Sequence, residues 1–87
     1  MNNQSSNKSK FISDFFIDIT TDTCPMTFVK TKIQLEKMQS GQILEVLLNH
    51  GEPLKNVPLS AVELGHIILD QYAQEDGKTY RLFIRCA

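Results

Sequence analysis

The sequence predicts an α+β fold: a two-layer α/β sandwich of order β-α-β-α-β-β, with a four-stranded mixed sheet and two helices on one face. Three observations predict it. Apolar residues recur at strand period or as short apolar runs in four segments. Two further segments each begin at a proline and stop at a glycine, the usual asymmetry of helix ends. Asp76-Gly77 separates the last two strand segments, a turn signal that joins antiparallel neighbours. The chain's 87 residues, 41% of them apolar, suffice for one domain with a core but not for two lobes with a cleft between them.

Residues 1–12 form an expected disordered tail ahead of a single domain over 13–87. Positions 2–10 hold only Asn, Gln, Ser and Lys, which bury too little to offset their ordering entropy. Phe15, Ile17 and Ile19 then alternate with Phe16 and Asp18 as a first strand. After a polar loop, Cys24-Pro25 opens a helix expected over 25–39, with Gly41 as its C′ residue. Phe28, Thr31, Leu35 and Met38 make its core-facing stripe. Met26, Val29 and Ile33 make a second stripe on roughly the opposite side, which one edge packing on a loop or a docking surface for a partner would each explain.

A second strand is expected at 43–48, a loop at 49–56, and a short helix from Pro58 to residue 64, ended by Gly65. The third and fourth strands are expected at Ile67–Ala73 and 79–86. On the last, Tyr80, Leu82, Ile84 and Cys86 share one face, and Arg81, Phe83 and Arg85 the other.

Charge excludes more than it suggests. Without the first ten residues the chain has seven basic and ten acidic side chains, a net of −3, which argues against direct nucleic-acid binding. No apolar run approaches the ~20 residues that cross a bilayer, and residues 11–19 are too interrupted by Ser13, Asp14 and Asp18 for a signal-peptide core. The protein therefore reads as cytoplasmic, without a membrane partner. In that compartment a Cys24–Cys86 disulfide is not expected. Cys24, His50, His66 and Cys86 lack the close spacing of a zinc site, so no metal is expected.

Chemistry concentrates at Cys24. At a helix start, open backbone N–H groups and the positive end of the helix dipole favour a thiolate, lowering the thiol pKa below its free value of ~8.5. Lys30 and Lys32 add weakly to that effect, and Asp18 and Asp22 oppose it. A thiolate is a nucleophile and an acceptor of sulfur, and the same amides would stabilise a persulfide anion. The bland alternative is a small buried hydrophobe, the usual fate of an unpaired cysteine. Cys86 is expected to pack at the sheet edge. Nothing in the spacing sets His50 or His66 beside Cys24, so no Cys–His pair is expected.

Taken together, Asp18, the loop, Cys24-Pro25, the helix ending Met38-Gln39-Ser40-Gly41, and the Asp76-Gly77 hairpin with Tyr80-Arg81 and Ile84-Arg85 resemble the TusA/SirA-like sulfur carrier proteins. The resemblance covers residues 14–86. It implies the same sandwich and a persulfide carried on the cysteine of a Cys-Pro-x-Pro motif, with no separate cofactor. The implied partners are a cysteine desulfurase or rhodanese-like sulfur donor and a downstream acceptor protein. The family's uses include tRNA thiolation, molybdenum-cofactor assembly and sulfur oxidation. Cys24 matches the persulfide-bearing residue, Pro25 the first motif proline, and Asp18 an acidic residue six positions earlier. Gly41 matches the glycine after the first helix, Asn56-Val57-Pro58 resembles an Asp-Ile-Pro at the second, and Arg85 matches a basic residue of the closing strand.

The sequence departs from the pattern at Thr27, where the second proline is expected, and at Thr21, where a glycine is expected. The loop before Pro58 is shorter than in typical members. Pro25, Asp18 and Thr27 are thus the residues that shape the site, while Met26, Val29, Lys30, Ile33 and Lys32 are docking candidates. The expected role is a sulfur carrier, not a stand-alone turnover enzyme. A non-catalytic paralogue acting as a protein-binding or regulatory module is the alternative. A thiol redox sensor using Cys24 and Cys86 is a third reading.

Overall fold

The computed structural model describes residues 12–23 and 25–87. Cys24 and the expected tail, except Ile12, lie outside the described residues; Ile12 itself is 87% exposed.

Among these residues the element order is β1 (Phe15–Asp18), α1 (Met26–Lys37), β2 (Ile43–Asn49), α2 (Glu52–Glu63), β3 (Ile67–Ala73) and β4 (Thr79–Arg85). The strands form one sheet in the order β1-β2-β4-β3. β1 pairs parallel with β2, setting Ile17 beside Val46, and α1 makes the crossover between them. β4 pairs antiparallel with both β2 and β3, so the sheet is mixed, as expected. β3 is an edge strand with an irregular register between Ile68 and Asp70, a feature that discourages pairing with another chain.

Period-2 alternation decides which face each strand residue serves. Leu44, Val46, Leu48, Leu82, Ile84 and Cys86 point into one core with Ile19, Leu35, Met38, Val57 and Ala61. Burying Leu44, Leu48, Leu82 or Ile84 completely contributes about 1.5–3 kcal/mol each. The other sheet face carries Phe16, Glu45, Arg81 and Phe83. There the Arg81 guanidinium lies 5.5 Å from the centre of the Phe16 ring, pairs with Glu45, and donates from Nε to Gln74 at 2.7 Å. Tyr72 stacks on Phe83 with ring centres 6.2 Å apart.

Three expectations need correction. The second helix starts at Glu52, not at Pro58. Pro53 is the proline that sits in its first turn, behind Gly51, whose φ of 106° only glycine adopts readily. Pro58 lies inside the helix, so Asn56-Val57-Pro58 is mid-helix, with Val57 fully buried. The stripe that α1 buries is Thr27, Thr31, Leu35 and Met38, with Phe28 only half-buried. Thr31 can turn inward because its hydroxyl donates to the Thr27 carbonyl at 2.9 Å, which removes the cost of burying it. Finally, Cys86 is not at the sheet edge. β4 is a central strand, and the buried Cys86 thiol lies 3.4 Å from the Leu35 carbonyl, beneath the C-terminal end of α1.

Candidate functional site: the loop between β1 and α1

The loop from β1 to α1 is fixed at successive residues. The Ile19 N–H donates to the Leu47 carbonyl at 2.9 Å, extending the β1–β2 pairing while the Ile19 side chain enters the core. Asp18 turns the chain: one carboxylate oxygen accepts from the Thr20 N–H at 2.8 Å and the Thr20 hydroxyl at 2.6 Å, a local motif that Asp favours. The Thr20 hydroxyl, then its N–H, hold the Asp18 carboxyl below the usual carboxylate range. Asn49, at the end of β2, donates from its amide to the Thr20 carbonyl at 2.7 Å. The Asp22 N–H reaches back to the Ile19 carbonyl at 3.2 Å.

Asp22 then crosses to the helix. Its Oδ1 lies 2.9 Å from Lys30 Nζ in the second turn of α1. Lys32 pairs with Glu36 at 3.1 Å along the exposed helix. Both lysines expected to assist the thiol are therefore partnered by acids. Two amides of the helix start are engaged as well. The N–H groups of Met26 and Thr27 both donate to the Thr23 carbonyl, at 2.7 and 3.3 Å, so they are not open to an anion as the sequence implied. This end also carries the positive pole of a 12-residue helix with no acidic residue in its first turn.

Pro25 occupies the N-cap, so the helix starts one residue later than expected. Cys24 falls between Thr23 and Pro25, outside the described residues. Thr27, expected to shape the site, faces the core at 2% exposure. Of the docking candidates, Met26 and Ile33 are 44% and 47% exposed, Lys30 is exposed, and Val29 and Lys32 are half-buried.

The histidines part company. His66 sits at the start of β3, and its Nδ1 accepts from the Ala87 N–H at 3.0 Å. His50 is exposed and follows Asn49, so it lies at the sheet end from which the β1–α1 loop emerges, a placement that spacing alone did not suggest. Among the described residues no group of three or more His, Cys, Asp or Glu side chains could hold a metal ion. No helix among them is long and apolar enough to cross a membrane.

Fold and sequence together define a class: a small two-layer sandwich whose parallel β-α-β unit carries the sequence Cys24-Pro25 between its first strand and first helix. Comparison with known proteins narrows the class. The family model described as "Sulfurtransferase TusA" matches residues 15–86, and the chain belongs to that family. It is 43% identical over 53 residues to a "Putative sulfur carrier protein" of Archaeoglobus fulgidus, a match covering 61% of this chain and 60% of that protein's length. It is 32% identical over 74 residues to the "Putative sulfur carrier protein YedF" of Escherichia coli, covering 85% of this chain and 94% of the relative. The crystal structure of a SirA-like protein from Desulfitobacterium hafniense has the same fold. Its TM-score is 0.69 at 18% identity, over 80% of this chain and 95% of that one.

Proposed function

We propose that this protein is a sulfur carrier that holds sulfur as a persulfide on Cys24. The observation that carries the reading is the Cys24-Pro25 pair at the entry to α1, in a chain whose residues 15–86 match the TusA family. The transfer balances without a cofactor. The Cys24 thiolate attacks the terminal sulfur of a donor protein's persulfide, and the donor's S–S bond breaks. The donor leaves as a thiolate, and the transferred sulfur keeps its proton as Cys24–S–SH. In the second transfer a nucleophile of the acceptor takes that terminal sulfur, and the Cys24 thiolate is the leaving group. Donor and acceptor supply the remaining catalytic groups, which suits a carrier better than a turnover enzyme.

The donor fitting this chemistry is a cysteine desulfurase or a rhodanese-like protein, and the acceptor is a further relay protein of the cytoplasm. The exposed apolar side chains along the first two turns of α1, Met26 and Ile33, give such partners a surface to cover, with Lys30 between them. That same exposure favours the second reading, a non-catalytic binding module, in which docking matters and the thiol does not.

One experiment separates the two. Incubation with a cysteine desulfurase and cysteine adds one sulfur atom to the intact mass, and Cys24→Ser removes the adduct entirely. Persistence of the adduct in Cys24→Ser overturns the persulfide assignment. In the binding-module reading Cys24→Ala leaves partner binding and cellular phenotype intact, while Val29→Asp abolishes both.

A further inference from the structure

Both helices pack on one side of the sheet, and no helix or strand among the described residues lies on the other. The register fixes which side chains stand there. Ile43, Arg85 and Ile67 form one row across β2, β4 and β3. Phe16, Glu45, Phe83 and Asp70 form the next, and Leu47, Arg81 and Tyr72 the third. A sheet face left to water ordinarily carries polar residues. Here every row holds large apolar or aromatic side chains, and no lysine stands at an outward strand position. Phe16 at one edge is 50% exposed, and Ile67 at the other is 49% exposed. Most charges of the face are settled within it. Arg81 pairs with Glu45, lies over the Phe16 ring and donates to Gln74. Asp70 accepts the Gln71 N–H at 2.8 Å, and Asp18 is turned to Thr20.

We propose that a second copy of this chain docks on the helix-free face, sheet against sheet, in a two-fold dimer of four layers with the helices outermost. Charge favours a copy as the occupant. Arg81 and Arg85 balance Glu45 and Asp70, and a near-neutral face meets itself without repulsion, whereas a face of one sign needs a partner of the other. Because the Arg81–Glu45 pair is already made, covering it strands no ion. Shape agrees. The Cα frame measures 37 × 28 × 16 Å, so the domain is thinnest across its two layers. An ellipse of 37 by 28 Å encloses roughly 800 Å², the share each partner gives to a standard-size interface. The edges are poorer places to join: β1 has four residues, and β3 is irregular between Ile68 and Asp70. A two-fold axis parallel to the strands sets β1 over the partner's β3 and β2 over the partner's β4. Phe16 then faces the edge that carries Ile67 and Tyr72, and the arginines of β4 face Ile43 and Leu47 instead of each other. Aromatic residues and arginine are the types that interfaces favour. Such a dimer leaves Met26 and Ile33 on the outside of both copies, so it stands whether or not the chain carries sulfur.

The test is sedimentation of the full chain under reducing conditions, from about 10 μM to about 1 mM, which spans weak to moderate affinities. The mass rises with concentration from 9.9 kDa towards twice that value. Phe16→Glu and Ile67→Lys, at half-exposed positions on opposite edges, each weaken the dimer about tenfold or more. Ile33→Asp, on the outer side of the helix layer, leaves it unchanged. Where Phe16→Glu lowers the melting temperature by removing the Arg81 contact, Ile67→Lys decides the matter. A chain that stays monomeric throughout overturns the proposal, whether hydrogen exchange then finds the face bare or covered by residues 1–11 of the same chain. A dimer that survives both face variants, or that is lost in Ile33→Asp, overturns it as well. The measurement needs no sulfur donor. A parent chain that fails to load sulfur therefore overturns the persulfide reading and leaves this one standing.

Discussion

At its C-terminal end α1 rests on apolar packing: Leu35 and Met38 are buried, and the Cys86 thiol approaches the Leu35 carbonyl from the last strand. At its N-terminal end the buried side chain is Thr27, and the connection to the sheet runs through hydrogen bonds of Thr20, Asp22 and Thr23 and the Lys30 ion pair. One end is held by burial and the other by polar contacts near water. Burial fixes a helix at low sensitivity to pH and salt. Polar contacts position backbone accurately and respond to charge, which is what a chemical site requires. Cys86 is part of the packing, and Cys24 stands in the sequence between Thr23 and Pro25.

The largest effect expected from breaking this contrast is at the apolar end. Leu35→Ala costs about 2–5 kcal/mol of stability by removing buried methyl groups and leaving a cavity. The pH profile of Cys24 alkylation by iodoacetamide, measured below the melting range, stays that of the parent; a changed profile would mean the two ends are not independent. A smaller effect is expected from Thr27→Pro, which restores the second proline of the family pattern at a first-turn position. It removes the long Thr27–Thr23 hydrogen bond of 3.3 Å and a buried side chain, but it restricts the unfolded chain. These terms oppose each other, so stability changes by less than about 1 kcal/mol in a denaturant titration. A larger loss would show that buried Thr27 matters more to this end than its bonds suggest.

The smallest effect is one of pH. The Asp18 carboxyl is depressed in the folded chain by its Thr20 bonds, so it contributes stability above its unfolded pKa near 3.8 and loses it as pH falls through the lower folded value. Asp76, in the β3–β4 hairpin, behaves likewise: bonds from the Lys78 N–H, the Thr79 hydroxyl and the Thr79 N–H lower it to about 2. Carboxyl chemical shifts followed from pH 5 downward should show both groups titrating below 3.8, Asp76 near 2. Asp18→Asn should remove only the part of the acid sensitivity that belongs to the β1–α1 loop. A normal Asp18 titration would mean that its turn is not formed in solution.

Much of the fold could be read in advance because its signals are local. Alternation at Phe15, Ile17 and Ile19, the Gly41 and Gly65 stops and the Asp76-Gly77 turn each act within a few residues. The second helix was misjudged because two prolines compete. Pro58 looked like a start, whereas Pro53 behind Gly51 is the start, and a mid-helix proline is tolerated where tertiary packing of Val57 and Ala61 overrides propensity. Thr27 was missed as a core residue because its polarity argues for the surface, whereas it stands one turn before Thr31 on the buried face of α1. The Asp22–Lys30 pair was illegible for another reason. It joins a loop to a helix face eight positions on, and only the path of the loop brings the two charges together. The Cys24-Pro25 pair, in contrast, stands out in the linear sequence.

The cation on the helix-free face has a consequence for the loop it never touches. β1 is four residues long, pairs with one neighbour, and is the stem from which the β1–α1 loop grows. Arg81 reaches across the sheet from the third strand position, over Glu45 of β2, to the ring of Phe16 in β1. It works as a guy-rope on the shortest pole of the tent. Slack in that rope would be felt as play at the root of the loop, so the footing of the β1–α1 loop is set partly from the opposite surface of the domain.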